Sequence, residues 1–461
     1  MGRPGASLSE VKGRSGVSRA ASPAAAGEDR SFFLSTLGCA KNDVDSAKLA
    51  GWLVAAGYAR AASPEEADLL VVNTCAFIQA AREESIDAIL SLAERRRPGA
   101  SLAVTGCLAE RSGAELAAAM PEVDVVAGFG ADLLPASAPV PVQVSFRTRQ
   151  AVPAFDLLEL PRPPANAPWA YVKVAEGCDR RCGFCAIPSF RGRQRSRLMT
   201  SILREVEVLD VSEVVLVAQD LASYGRDRTG SRPDSRETIE HLVTEVARRV
   251  EWVRLLYLYP SSLTDRLIET VISTGVPYFD ISLQHVSPPL LRLMRRFGSR
   301  ARFLDRIRRI RQLEPGAVLR SSFVIGYPGE SEADQDELLG FLAEAELDWA
   351  GFFAFSREPG TYADAFDEEM YVDPALVSER ISECSELQQS LSGARRRELI
   401  GRRLTVLQES EDSGRTYREA PEIDGVVRLL SGRARMASPG SFLGARCVAS
   451  EWPDLVAEAV G

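Results

Sequence analysis

Cys178-Asp-Arg-Arg-Cys182-Gly-Phe-Cys185 places three thiols on one short run. Three thiolates on a loop can hold three irons of a [4Fe–4S] cube and leave the fourth iron open to a small molecule. Two other readings compete: a structural zinc site and an ordinary electron-transfer cluster. Zinc needs a fourth ligand, and thiolate zinc sites commonly pair two CxxC runs. No His or further Cys follows within fifty residues. The motif, taken with its place just after a strand, favours the open cluster.

Cys39, Cys75 and Cys107 form a second set. Each stands one or two residues beyond an apolar strand-like run: Phe32–Leu37, Leu69–Asn73 and Leu102–Thr105. Helical patterns at Asp45–Ala56 and Glu83–Glu94 alternate with these runs, which predicts a parallel α/β domain over 31–150. Strand carboxyl ends share one edge of a parallel sheet, so the three Cys should meet there. Buried Cys are also common as small core residues. Their equivalent positions in successive units favour a ligand role.

Other elements must position the first triad. A Pro-rich stretch, 151–168, reads as a linker. Strand and helix patterns then alternate six times across 169–398. The strands are expected at Tyr171–Ala175, Glu213–Val217, Val253–Tyr257, Phe279–Leu283, Leu319–Ile325 and Gly351–Phe355. The helices are expected near Ser201–Leu209, Thr238–Val250, Thr264–Ser273, Pro289–Gln312, Glu332–Ala345 and Ala375–Arg397. This predicts a partial (β/α)6 barrel with its site at the strand carboxyl ends. Over 399–461 short strand-like pieces (Leu404–Gln408, Gly425–Arg428, Ala445–Ala449) separated by turns predict a small antiparallel β-barrel. Residues 1–30 are poor in apolar side chains, lack a signal-peptide core and are expected to be a disordered tail.

Of 461 residues, 45% are hydrophobic and 26% charged, and no apolar run approaches a membrane span. Eight Cys without an export signal suit reduced thiols in a cytoplasm. The net charge of −9 argues against a generic nucleic-acid binder and suits a basic partner. Only four of the 55 basic residues are Lys, a bias taken to reflect codon usage rather than mechanism. The run Phe190–Arg197 (FRGRQRSR) is the counter-evidence, since its four Arg could grip phosphate, clamp a carboxylate or lie solvated. His285 reads equally as a core residue or a substrate contact. Cys384 and Cys447 stand alone and read as inert. Gly326, Pro328 and Gly329 could let backbone approach a ligand or make a tight β–α turn.

Phe184 fills the aromatic place of the CxxxCxxC signature, and the run resembles that of the radical-SAM superfamily. The resemblance implies that the open iron chelates S-adenosylmethionine and cleaves it to a 5′-deoxyadenosyl radical, with Phe184 beside the cofactor; by its location the Gly326 turn is read as bordering the cofactor too. Leu37–Ser46 (LGCAKNDVDS), Asn73–Ile78 (NTCAFI), Gly106-Cys107, Tyr171–Arg197, Gln219–Gly225, Phe323–Glu330 (FVIGYPGE) and Ala420–Gly425 (APEIDG) look like the methylthiotransferase family. The match extends over about 430 residues, and the terminal module resembles a TRAM domain. Ala47 stands where the family usually has an acid, which touches no thiol.

That resemblance implies two [4Fe–4S] clusters, the second held by Cys39, Cys75 and Cys107 and supplying sulfur. One S-adenosylmethionine would methylate that sulfur, and a second would yield the radical that abstracts hydrogen from the substrate. Asp280–His285 (DISLQH), Val253–Pro260 (VRLLYLYP) and APEIDG are similar to the RimO-like branch, which acts on an aspartate of ribosomal protein uS12. The MiaB-like branch, acting on adenosine in tRNA, is the alternative. From Gly401 to Gly461 there are eight Arg and nine Asp or Glu, so no basic excess favours a tRNA clamp. The expected partners are uS12 and an electron donor such as flavodoxin or ferredoxin. No membrane and no nucleic-acid substrate are expected. A non-catalytic iron–sulfur protein tethered by the terminal module would leave the barrel and Phe184 unexplained. Losing Gly401–Gly461 is expected to weaken substrate modification while sparing S-adenosylmethionine cleavage.

Overall fold

The computed structural model describes residues 30–134, 143–145, 156–229, 237–430 and 438–460. The expected tail and the first part of the linker therefore lie outside the described residues.

The amino-terminal domain contains β1 (Ser31–Thr36), α1 (Ala40–Ala55), β2 (Ala59–Arg60), β3 (Leu69–Thr74), α2 (Gln79–Arg95), β4 (Ser101–Gly106), α3 (Cys107–Ala119), β5 (Val125–Ala127) and β6 (Gln143–Ser145). Its six strands pair in parallel in the order β2-β1-β3-β4-β5-β6. All of β3 is buried, because helices cover both faces of a parallel sheet and no alternation is needed. The second half of the expected linker is packed rather than free. Leu157 and Leu158 are buried, and Lys48 donates to the Leu158 carbonyl.

The barrel begins with β7 (Trp169–Lys173), β8 (Ala175–Glu176), α4 (Ile187–Arg191), β9 (Arg195–Ser196), α5 (Met199–Leu209), β10 (Glu213–Val217), α6 (Arg226–Thr229), α7 (Ile239–Ala247) and β11 (Trp252–Leu255). It continues with α8 (Asp265–Ser273), β12 (Tyr278–Gln284), α9 (Pro288–Leu293), α10 (Arg300–Leu313), β13 (Val318–Ile325), α11 (Glu332–Ala345), β14 (Trp349–Ala354) and α12 (Pro374–Arg397). Parallel ladders β11-β10-β7 and β12-β13-β14 are joined by a single Leu258–Ile281 bridge, so six parallel strands make an open barrel. The short antiparallel β8–β9 ribbon pinches together the two ends of the Cys178–Cys185 loop.

One expected helix, Pro289–Gln312, is two. Arg295 and Gly298 take positive φ of 54° and 140°, and the Ser299 side chain caps α10 by accepting from the Arg302 N–H. Gly followed by Ser is a stop-and-start signal that helical periodicity alone overlooks.

The C-terminal module, β15 (Arg403–Gln408), β16 (Ser413–Arg415), β17 (Val427–Leu430), β18 (Phe442–Glu451) and β19 (Asp454–Ala459), closes in the order β15-β16-β17-β19-β18. Four of its ladders are antiparallel, and β17 pairs with β19 in parallel.

All three parts share one core. Ala40 and Val44 of α1 and Leu407 and Ala420 of the terminal module pack among Tyr171, Val215, Val217 and Tyr278 of the barrel strands. The terminal module is thus built into the barrel. Arg415 pairs with Glu213 at 2.7 Å, and Glu213 also holds Arg254 at 2.7 Å, with both Glu213 and Arg254 fully buried.

Candidate functional site

Each thiol of the amino-terminal triad sits where a strand gives way to a helix. Cys39 is the N-cap of α1, Cys75 follows β3 directly, and Cys107 is the first residue of α3. Gly38 approaches so closely that a Cβ there would lie 2.9 Å from the Cys75 sulfur, and its φ is +99°. The Asn42 amide donates to the carbonyls of Leu37 (2.8 Å) and Thr74 (3.0 Å), tying the Cys39 turn to the Cys75 turn. Asn73 returns the link, donating to the Asn42 carbonyl at 3.0 Å and to the Ser46 hydroxyl at 2.9 Å. The three Cys were expected to meet at this edge; the turns that carry Cys39 and Cys75 are tied together by Asn42, and charges on Cys39 and Cys107 help to raise the Cys75 thiol.

The barrel triad is held from both sides. The Gly183 N–H donates to the Met294 carbonyl at 2.8 Å, and the Ala363 N–H donates to the Gly183 carbonyl at 2.9 Å. Phe184 packs on Leu290, Met294, Tyr327 and Ala363. Arg180 bonds Asp220 (2.6 Å) and Ser262 (2.7 Å), and the guanidinium groups of Arg180 and Arg296 both stack on the Tyr259 ring.

Three of the six sulfurs accept a hydrogen bond from an N–H, and backbone N–H groups beside the other three favour their thiolates. Backbone N–H groups of Lys41 and Asn42 face Cys39, Phe77 faces Cys75, Arg180 faces Cys178 at 3.4 Å, and Ile187 faces Cys185. Side chains serve the other two: Arg191 reaches Cys107 at 3.0 Å, and Arg296 reaches Cys182 at 3.4 Å. Directed N–H donors suit thiolate ligands, whose charge they stabilise. Burial pushes the Cys75 and Cys178 thiols up to about 11 and Cys185 to about 12. At Cys39 burial is outweighed by Lys41 and Arg191, which hold the thiol below its ordinary value. A metal that deprotonates its thiols outright supplies what the buried ones lack. Among the described residues no three His, Cys, Asp or Glu are grouped to hold a single metal ion. Such grouping is what zinc requires, whereas the thiols of a cube each meet a different iron and stand farther apart. Thiols backed by N–H donors fit the ligands of iron–sulfur cubes.

All four Arg of FRGRQRSR pair with carboxylates of this chain, and two of them, Arg191 and Arg197, turn inward. Arg191 pairs with Asp45 (3.1 Å) and Glu176 (3.0 Å), and Arg197 with Glu205 (2.8 Å). Arg195 pairs with Asp156 and Arg193, whose side chain is 92% exposed, pairs with Asp179, both at the surface. No unengaged basic strip remains there for phosphate.

Three of the lysines make specific contacts. Lys173 pairs with Asp45 (2.6 Å) and Glu176 (2.5 Å), Lys48 pairs with Glu205 (3.1 Å), and Lys41 lies 3.6 Å above the Tyr257 ring. Three of the four lysines thus sit where the amino-terminal domain meets the barrel or its approach.

His285 is completely buried, its Nδ1 accepting from the Ser287 N–H at 3.1 Å. Cys384 and Cys447 are buried apart from both triads. Gly326 has φ +77°, its N–H donates to Glu330 at 2.7 Å, and a Cβ there would lie 2.3 Å from Val377. Packing against α12 thus suffices to require glycine. Its neighbour Tyr327 comes close to Gly183, where a Cβ would lie 2.6 Å from the Tyr327 hydroxyl. Gln194 Oε1, Gln219 Oε1 and Asp220 Oδ1, near the Cys178 loop, are buried acceptors without a partner. Arg191, Arg296 and Lys173 were not singled out individually by sequence reasoning.

Comparison with known proteins follows the same three parts. Residues 31–128 match the model of an uncharacterized protein family, UPF0004; residues 172–342 match the radical SAM superfamily; and residues 400–460 match the TRAM domain. The chain is 40% identical to ribosomal protein uS12 methylthiotransferase RimO of Streptomyces coelicolor, over 94% of this chain and 97% of the relative. It is 41% identical to the protein of that name in Desulforudis audaxviator, over 90% and 93%. Among solved structures it resembles a radical S-adenosylmethionine methyltransferase, TsrM, from Kitasatospora setae, at 14% identity and a TM-score of 0.46, covering 73% of this chain and 74% of that one.

Proposed function

The chain belongs to the family of ribosomal protein uS12 methylthiotransferases named RimO, and we propose on that footing that it adds a methylthio group to the β-carbon of an aspartate of uS12. It is a radical-SAM enzyme, which implies one [4Fe–4S] cluster and S-adenosylmethionine. Cys178, Cys182 and Cys185 would hold that cluster, and Cys39, Cys75 and Cys107 a second. The first would supply the electron that cleaves S-adenosylmethionine, and the second would supply the sulfur.

The observation that carries this reading is α4. The N–H of its first residue, Ile187, faces Cys185, and the side chain of its last, Arg191, donates to Cys107. Five residues of helix rise only about 7 Å. One rigid element thus sets the spacing between a thiol of each triad.

The chain's own residues divide the remaining work. Arg180 and Arg296 fix the Cys178–Cys185 loop against Tyr259. The unpartnered acceptors of Gln194, Gln219 and Asp220 suit the amino group of S-adenosylmethionine, with Phe184 and the Gly326 turn bordering the same loop. The inward-turned Arg191 and Arg197, the surface pairing of Arg193 and Arg195 with carboxylates, and the charge-paired terminal module support a protein substrate over tRNA. Flavodoxin or ferredoxin in a cytoplasm would supply electrons, and no helix of the described residues is long and apolar enough to cross a membrane.

Intact mass of uS12 and nucleoside analysis of tRNA, compared with and without the gene, test the reading. A methylthio increment on uS12 alone is expected. Methylthiolation of tRNA with uS12 unchanged would overturn it.

A further inference from the structure

Arg191 is the last residue of α4 and belongs to the barrel, yet its guanidinium reaches into the amino-terminal domain. One nitrogen donates to Asn42 Oδ1 at 2.7 Å and to the Cys107 sulfur at 3.0 Å, and the other bonds Asp45 and Glu176. Its side chain is 3% exposed. Phe129 covers the guanidinium at 4.3 Å. Of the three thiols in this set, only Cys107 receives a charged side-chain donor; Cys39 and Cys75 receive backbone N–H groups.

We propose that Arg191 is a positioning residue that holds the Cys107 side of the second cluster against the barrel and raises that cluster's reduction potential. The proposal rests on the reading that Cys39, Cys75 and Cys107 hold a cluster. Reduction adds one negative charge to the cluster, and a buried cation touching a ligand sulfur favours the more negative state. The surrounding charges limit the size of the effect. Lys173 and Arg191 face Asp45 and Glu176, so the group of four is neutral as a whole. The guanidinium is the only member of that group bonded to sulfur among the described residues, and its field therefore dominates at Cys107. A change of about tenfold in the ratio of reduced to oxidised cluster at a fixed potential is expected, which is about 59 mV for one electron.

A purely structural salt bridge would leave the potential unmoved, and this separates the alternatives. The test uses the full-length chain with Cys178, Cys182 and Cys185 replaced by Ala, so that only the second cluster is reconstituted. Iron is counted, and the midpoint is read by electron paramagnetic resonance as dithionite supplies the electron. In that background R191M should keep about four irons and titrate at a potential lower by the stated tenfold ratio, with R191K between it and the parent. An R191M midpoint equal to the parent's at full iron content would overturn the proposal. Should R191M lose its iron, R191K and R191Q carry the comparison: the charged variant should titrate higher, and equal midpoints would overturn the proposal. A parent that binds no iron would instead refute the cluster assignment on which the proposal stands.

Discussion

The Tyr278 hydroxyl donates to the Asp424 carboxylate at 2.5 Å, from the first residue of β12 to the APEIDG segment of the terminal module. Asp424 also faces Arg320 at 3.5 Å, and Arg320 holds Asp280 at 3.0 Å inside the barrel. The APEIDG segment is therefore a plug in the barrel, and its resemblance to the family pattern has a packing reason beside any contact with substrate.

Removal of Gly401–Gly461 should accordingly disable the whole enzyme, contrary to the expectation that the barrel would continue alone. The deletion strips Arg415 from Glu213 and Asp424 from Tyr278 and Arg320. Uncovering one partner of a buried pair costs about 3–5 kcal/mol. The deleted protein should lose cooperative melting and iron, measured by calorimetry and iron assay. Full S-adenosylmethionine cleavage by the deleted chain would show the plug to be dispensable.

The break between α9 and α10 delivers Arg296 to the barrel triad, where it donates to the Ser282 carbonyl and to the Cys182 sulfur. Arg296→Ala should lower 5′-deoxyadenosine formation by about ten- to a hundredfold, as losses around a metal's ligands commonly do. Arg296→Lys should recover little, because one ammonium cannot serve both acceptors and the Tyr259 face. Product is quantified by liquid chromatography at matched iron content, and unchanged turnover in R296A would remove Arg296 from the site.

Much of the barrel was legible because its signals are local. Strand Glu213–Val217 and helix Glu332–Ala345 have the bounds their apolar periodicity predicts. The placement of three Cys beyond three strands was also readable, since parallel topology alone sends strand ends to one edge. The groups around the thiols were not. Arg191 meets Cys107 across 84 positions and Asp45 across 146, and contacts between charges so far apart leave no period in the sequence. The four-Arg run was visible, but its direction depends on carboxylates supplied by distant segments.

His285 gives a pH test. Burial lowers its pKa to about 4, against the opposing pull of Asp334. In the unfolded chain it titrates near 6.5. Between these values the unfolded state binds the additional proton, so this contribution is complete above about 6.5 and is lost as pH falls towards 4. The loss is on the order of 3 kcal/mol. Denaturant melts of parent and H285Q across pH 4–7 should differ in slope within that window, the variant being flatter. Parallel curves would mean that His285 is protonated in the folded protein.

The buried square of Lys173, Asp45, Arg191 and Glu176 provides the last test, because its four ion pairs lie between 2.5 and 3.1 Å and join α1 to the barrel. Burial would raise the Glu176 pKa, but Arg191 and Lys173 hold it at about 2, so the carboxylate stays charged and depends on both cations. Lys173→Met removes one cation and leaves Asp45 and Glu176 sharing Arg191. A buried charge without its partner costs about 3–5 kcal/mol. Asp45→Asn alone leaves one cation in excess and should cost a similar amount. The double variant restores neutrality with Arg191 facing Glu176, so its penalty should fall well short of the sum of the two single changes. Melting of the full-length protein before cluster loading isolates this packing effect from any effect on iron. If the penalties instead add to within about 0.5 kcal/mol, the two residues act independently, and the square does not hold α1 on the barrel.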